Sequence, residues 1–114
     1  MGRFFGKTTA AVFMGSVVTV LPVQASEPDA SELRNLVVQD CGSCHGLRLG
    51  GGLGPALRPE ELERLSVEAI ATIIRHGTPD TAMPPWKDLL SEHEIRWISE
   101  KLKSGALLNN DDPR

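Results

Sequence analysis

Residues 41–45 read Cys41-Gly42-Ser43-Cys44-His45, and the rest of the chain takes its meaning from this run. A C-x-x-C pair followed at once by His is the attachment pattern of a c-type haem, in which two thiols bond to the porphyrin vinyl groups and the imidazole takes the iron. The same pair without the His serves redox dithiols and halves of zinc sites. No other cysteine exists in the chain, and His76, His93 and the carboxylates stand at no recognisable zinc spacing. One covalent haem c on Cys41, Cys44 and His45 is therefore the leading reading, with a dithiol site and zinc as alternatives.

Towards the N-terminus, Arg3 and Lys7 flank the start of a mostly apolar stretch from Thr8 to Leu21, and Val23-Gln24-Ala25 supplies the small residues of a cleavage site. The expectation is a secretory signal peptide over residues 1–25, a single haem-binding domain over 26–114, and a periplasmic location. Stable membrane insertion is disfavoured, because the apolar run is shorter than the roughly 20 residues of a spanning helix. Without the leader, 10 basic residues face 15 acidic ones, a formal charge of −5. Such a chain is a poor partner for nucleic acid or anionic lipid and suits a basic patch on another protein. Domains of this size bury a modest core and often lean on a cofactor. Haem attachment also occupies two thiols that an oxidising compartment would otherwise join.

Around the motif the pattern is helical. Asp29 followed by Glu32 predicts a capped start, and Leu33, Leu36 and Val37 then fall at helical spacing on the way to Cys41. Gly46 to Gly54 has neither a helical nor a strand period. As a phosphate loop it lacks the Lys-Ser/Thr pair; beside a porphyrin its glycines would let the backbone pass close, with Leu47, Leu49 and Leu53 packing on the ring. Pro59 suits the first turn of a short helix carrying Leu62 and Leu65. Ser66 caps a helix with Val67, Ile70, Ala71 and Ile74 on one face and Gly77 at its end. Ser91 and Glu94 form a capping box for a last helix whose stripe is Ile95, Ile98 and Leu102, closed by Lys101, Lys103 and Gly105. No stretch alternates long enough for a strand. The predicted fold is all-α, with residues 109–114 as a frayed tail.

A haem held by His45 has a second iron face, and its ligand separates an electron carrier from a ligand-binding haem. Met83 is the only methionine after residue 25, and it lies within Thr78–Trp86, a segment with three prolines. Pro84 and Pro85 hold their predecessors extended. Met83 is the expected ligand. His76, in the last turn of its helix, and His93, between Glu92 and Glu94, are the competitors. Trp86, Arg48 and Arg58 are candidates for contact with the propionates, and Trp97 reads as core.

With these residues in place, the chain resembles the class I cytochromes c over nearly all of residues 26–114. It carries Cys41-x-x-Cys44-His45, Gly54-Pro55-x-Leu57, and Met83-Pro84 ahead of a C-terminal helix. The resemblance implies a single-haem electron carrier, not an enzyme, in which the Pro55 carbonyl accepts the Nδ1 proton of His45. Over His45-Gly46-Leu47-Arg48-Leu49-x-Gly51-Gly52-Leu53-Gly54-Pro55-Ala56-Leu57 and Ile74-x-His76-Gly77-x-Pro79-x-Thr81-Ala82-Met83-Pro84-Pro85-Trp86, it is similar to the c-55X cytochromes of denitrifying bacteria. Their genes lie among those for cytochrome cd-type nitrite reductase. This narrower similarity implies a carrier whose partner is that reductase or the machinery that matures its special haem. The alternative is a haem-handling maturation factor or ligand-binding haem sensor with a labile sixth site. One departure stands out: Leu33 and Val37 occupy positions where many class I chains have Gly and an aromatic residue. A wider or differently angled crossing of the first and last helices is the expected result.

Overall fold

The computed structural model describes residues 1, 2, 6, 15–22 and 28–108. Arg3, Lys7, the start of the apolar run and the Val23-Gln24-Ala25 site lie outside these residues, as does the tail from residue 109. Residues 15–22 are exposed and without regular secondary structure, and no described helix is long and apolar enough to cross a membrane. Among the described residues all regular structure is helical.

Helix α1 (Ala30–Leu36) starts because the Asp29 carboxylate accepts hydrogen bonds from Ser31 N at 3.0 Å and Glu32 N at 3.2 Å, two of the donors that a helix start leaves unpaired. Glu32 does not return the reciprocal bond of a capping box; the cap is one-sided. Nor does an unbroken α-helix run into Cys41. A π-helical turn, Val37–Cys41, follows α1, closed by Gly42 N donating to Val37 O five residues back. Helix α2 (Gly42–His45) then carries the second cysteine and the histidine until Gly46, at φ 89°, turns the chain away.

Residues 46–57 are irregular, as the glycine content demands, but their leucines divide differently from the expectation of three ring contacts. Leu49 is buried in the protein core and pairs its carbonyl with Leu57 N at 2.9 Å, whereas Leu47 is largely exposed. The expected short helix at Pro59 is instead a single turn, with Leu62 N donating to Arg58 O at 3.1 Å and Leu65 N to Leu62 O at 3.0 Å. A few residues cannot repay helix nucleation alone.

Helix α3 (Val67–His76) begins at Ser66, whose Oγ accepts Ala69 N, and α4 (Glu92–Ser104) begins at Ser91 with the full reciprocal box to Glu94. The two helices pack through Ile70, Ala71 and Ile74 on α3 and Ile95, Ile98 and Leu102 on α4, all buried. Leu33 and Val37 close the same core from the N-terminal side. Among the described residues Ser99 is the one buried polar side chain; its hydroxyl donates to Ile95 O at 2.7 Å, so it costs little. At the C-terminal end of α4, the Arg34 guanidinium reaches Ala106 O and Leu107 O at 3.4 Å, tying α1 to the far end of the chain.

Candidate functional site

Between α2, the 53–65 segment, α3 and the 78–86 loop lies a cavity of about 660 Å³ whose walls are mostly apolar. That volume falls within the ~300–1,000 Å³ of ordinary cofactor sites. Cys41, Cys44, His45, Pro55 and Met83 all line it, together with Leu53, Leu57, Leu62, Ile74 and Trp86. Asp40 and Glu61 are the acidic side chains at its walls, and among the described residues no lysine or arginine lines it.

The orientation of His45 follows from two neighbours in sequence. Its Nδ1 lies 2.7 Å from Pro55 O. A carbonyl oxygen only accepts, so Nδ1 carries the proton and Nε2 keeps the lone pair of the neutral ring. Gly54 lies against the imidazole so closely that a Cβ there would come within 2.7 Å of Cε1 and 2.8 Å of Nδ1. The glycine loop serves the helix end as well. Gly51 N donates to His45 O and Gly54 N to Cys44 O, both at 2.8 Å, pairing carbonyls that a helix terminus leaves open.

The Cys41 thiol is half-buried, and that burial, with the nearby Asp40 charge second, pushes its pKa up to about 11. Reactive dithiols show the opposite shift, since the thiolate is the nucleophile. Nor do three or more His, Cys, Asp or Glu side chains gather into a metal-binding group among the described residues. The dithiol and zinc alternatives therefore find no support in the geometry. Two thiols and an imidazole on one wall of an apolar cavity fit a porphyrin bonded through its rim and ligated from one side.

Another wall is a loop folded tightly back on α3. Thr78 N donates to Met83 O at 3.1 Å, the Thr81 hydroxyl donates to Thr78 O at 2.7 Å and accepts Met83 N at 3.2 Å, and Trp86 N reaches Ile74 O at 3.0 Å. Gly77, with φ 68° and ψ −171°, makes that fold possible; a Cβ there would come within 2.6 Å of Met83 O and 2.7 Å of the Pro84 carbonyl carbon. His76 and His93 are exposed, and neither lines the cavity. Arg48 and Arg58 do not line it either; the Arg58 guanidinium lies near Gly50 instead. Trp97 is half-buried, with Lys101 Nζ 5.4 Å from its ring centroid. Met83 and Pro55 are legible in the sequence, whereas the threonine clasp and the close approaches of Gly54 and Gly77 emerge only in the fold. Thr78-x-x-Thr81 just before the methionine was the available signal, since Thr hydroxyls favour local bonds to the backbone in turns.

Comparison with known proteins agrees with this architecture. The family described as cytochrome C oxidase, cbb3-type, subunit III matches residues 28–100. The chain is similar to cytochrome c55X of Pseudomonas aeruginosa, 50% identical over 91 residues that cover 76% of each chain. Its structure is similar to that of the c-type cytochrome NirC, with a TM-score of 0.68 and 49% identity over 70% of this chain and 98% of the other. A further likeness is to dihydro-haem d1 dehydrogenase NirN in complex with DHE, with a TM-score of 0.54 and 30% identity. That match covers 70% of this chain and only 16% of the longer one.

Proposed function

Since the chain belongs to the class I c-type cytochromes and carries one covalently attached haem c as an electron carrier, we propose that it acts in the periplasm and delivers single electrons to a cytochrome cd-type nitrite reductase. In this reading Cys41 and Cys44 would hold the porphyrin by thioether bonds, and His45 Nε2 and the Met83 thioether would bind its iron. The haem supplies the one-electron change between ferric and ferrous iron. The protein supplies the rest. Pro55 O keeps the proton on Nδ1, so the imidazole stays in one tautomer and orientation. The threonine clasp fixes the backbone of Met83, and the apolar walls limit water, so the chain has little to rearrange when the charge on the iron changes.

The observation that supports this reading best is that His45, with Nδ1 committed to Pro55, shares one apolar cavity with Met83, and neither of the competing histidines does. Spectra of the ferric and ferrous holoprotein with and without carbon monoxide test it: a carrier whose iron is held by both His45 and Met83 would show no change. Rapid binding would instead indicate a labile sixth site and favour the maturation-factor or sensor alternative. The sequence pattern of Arg3, Lys7, the apolar stretch from Thr8 to Leu21 and Val23-Gln24-Ala25, which has the form of an export leader, supports the periplasmic location. For the partner, the reduced protein mixed with the reductase and nitrite should be oxidised at a rate that falls as ionic strength rises, because the formal charge of −5 steers through a field screened within about 8 Å at physiological salt. If it stays reduced while a generic donor sustains turnover, this partner is wrong.

The likeness to a dihydro-haem d1 dehydrogenase supports a second reading, in which the same carrier accepts electrons during maturation of the reductase's special haem. Reduction of the ferric protein by such an enzyme with its own substrate is the observation that only this second reading expects.

A further inference from the structure

Lys103 sits in the last turn of α4 and is half-buried. Its Nζ donates to Leu65 O at 2.6 Å and to Leu62 O and Glu63 O at 3.2 Å each. An ammonium group has three N–H donors, so three carbonyls saturate it. These carbonyls form the negative end of the single turn that opens at Arg58, and Glu63 O and Leu65 O receive no backbone donor among the described residues. Two residues further on, a Cβ on Gly105 would come within 2.8 Å of Pro59 Cγ, so the end of α4 touches the start of the same segment. Segment 58–65 in turn presents Glu61, Leu62 and Leu65 to the cavity.

We propose that Lys103 is a positioning residue for electron transfer: its three hydrogen bonds hold segment 58–65 as a fixed wall of the haem cavity and so help set the reduction potential. The segment is too short to stand as a helix, yet it carries two of the leucines that keep water from the cavity. A cation at its carbonyl end supplies what further helical turns would supply elsewhere. Solvent access and local dielectric are among the protein's levers on a haem potential, and both change if this wall opens. The inference rests on the electron-carrier reading for its effect on potential, while the hydrogen-bonded wall itself can be tested without it.

Limited trypsin digestion of the holoprotein provides that test. Arg64 is exposed at the tip of the segment, whereas Arg58 precedes Pro59 and resists cleavage. Lys103→Met should speed the cut between Arg64 and Leu65 by about tenfold or more, the factor associated with losing one hydrogen bond to a charged group. Lys101→Met removes the same charge two residues earlier, from over Trp97, and should leave that cut unchanged. The potential of Lys103→Met should also fall below that of Lys101→Met. Equal cleavage at Arg64 in the two variants would overturn the wall. An equal acceleration at Arg75 and Lys87 would show general loss of stability instead of local opening. Coincident potentials with selective cleavage would retain the wall but overturn its role in electron transfer, leaving the carrier reading intact.

Discussion

Gly77→Ala should damage stability and open the sixth ligand position together, because one close contact links the end of α3 to the methionine loop. The added methyl would come within 2.6 Å of Met83 O, 2.7 Å of the Pro84 carbonyl carbon and 2.8 Å of Pro85 N. All three are backbone atoms, so no side chain can swing aside. The backbone at φ 68° and ψ −171° also lies in a region that residues with a Cβ avoid, at a cost of about 1–3 kcal/mol. Forcing the loop outward adds about 1–3 kcal/mol of overpacking. A loss of about 2–6 kcal/mol is a large share of the ~5–15 kcal/mol that holds an ordinary domain together. For a domain of this size it should lower the melting temperature by about 10 °C or more. The assay is thermal unfolding of the holoprotein by far-ultraviolet circular dichroism, alongside carbon monoxide addition to the ferrous form. Gly105→Ala is the control: its φ of 75° is also strained, but its added methyl would meet the Pro59 side chain, far from the methionine loop in sequence. Both variants should melt lower, and only Gly77→Ala should bind carbon monoxide. A Gly77→Ala protein with unchanged melting and no carbon monoxide binding would refute the argument.

Met83→Ala should bind carbon monoxide at once and have a lower reduction potential, since a thioether favours ferrous iron; an unchanged spectrum and potential would direct attention to His76 and His93. Ser91→Ala should cost about 1 kcal/mol in denaturant melts, the usual value of an N-cap. Hydrogen bonds from the Ser91 N–H and hydroxyl hold the Glu94 carboxyl below its ordinary 4.5, so the cap's contribution is fully present above that pH and is lost as pH falls through the lowered value. Melts at pH 7 and pH 3 should accordingly show a smaller acid loss in Ser91→Ala than in the parent. Intact mass of the exported holoprotein should equal residues 26–114 plus one haem, and a membrane-bound species retaining Met1 would contradict the leader.

Much of the architecture was legible because its causes are local. Asp29, Ser66 and Ser91 each accept backbone donors within three residues, and the apolar faces of α3 and α4 repeat at a spacing that a helix aligns. Where the reading failed, the competing term was not local. Pro59-Glu60-Glu61-Leu62 has the composition of a helix start, but the segment is closed by a lysine about forty residues later. Leu49 looked like a ring contact beside its glycines, yet it takes a positive φ of 54° and is buried in the core. The π turn at Val37–Cys41 has no composition that announces it.

By itself the sequence determined the chemistry available at residues 41–45, the helical class and the helix starts, because bonding type, capping and periodicity reside in neighbouring residues. Only the tertiary structure decided that Pro55 O would meet His45 Nδ1, that Gly54 and Gly77 would leave no room for a Cβ, and that Met83, unlike His76 or His93, would line the cavity. Those outcomes depend on distances between segments that the chain must first bring together, and no local propensity encodes a through-space contact.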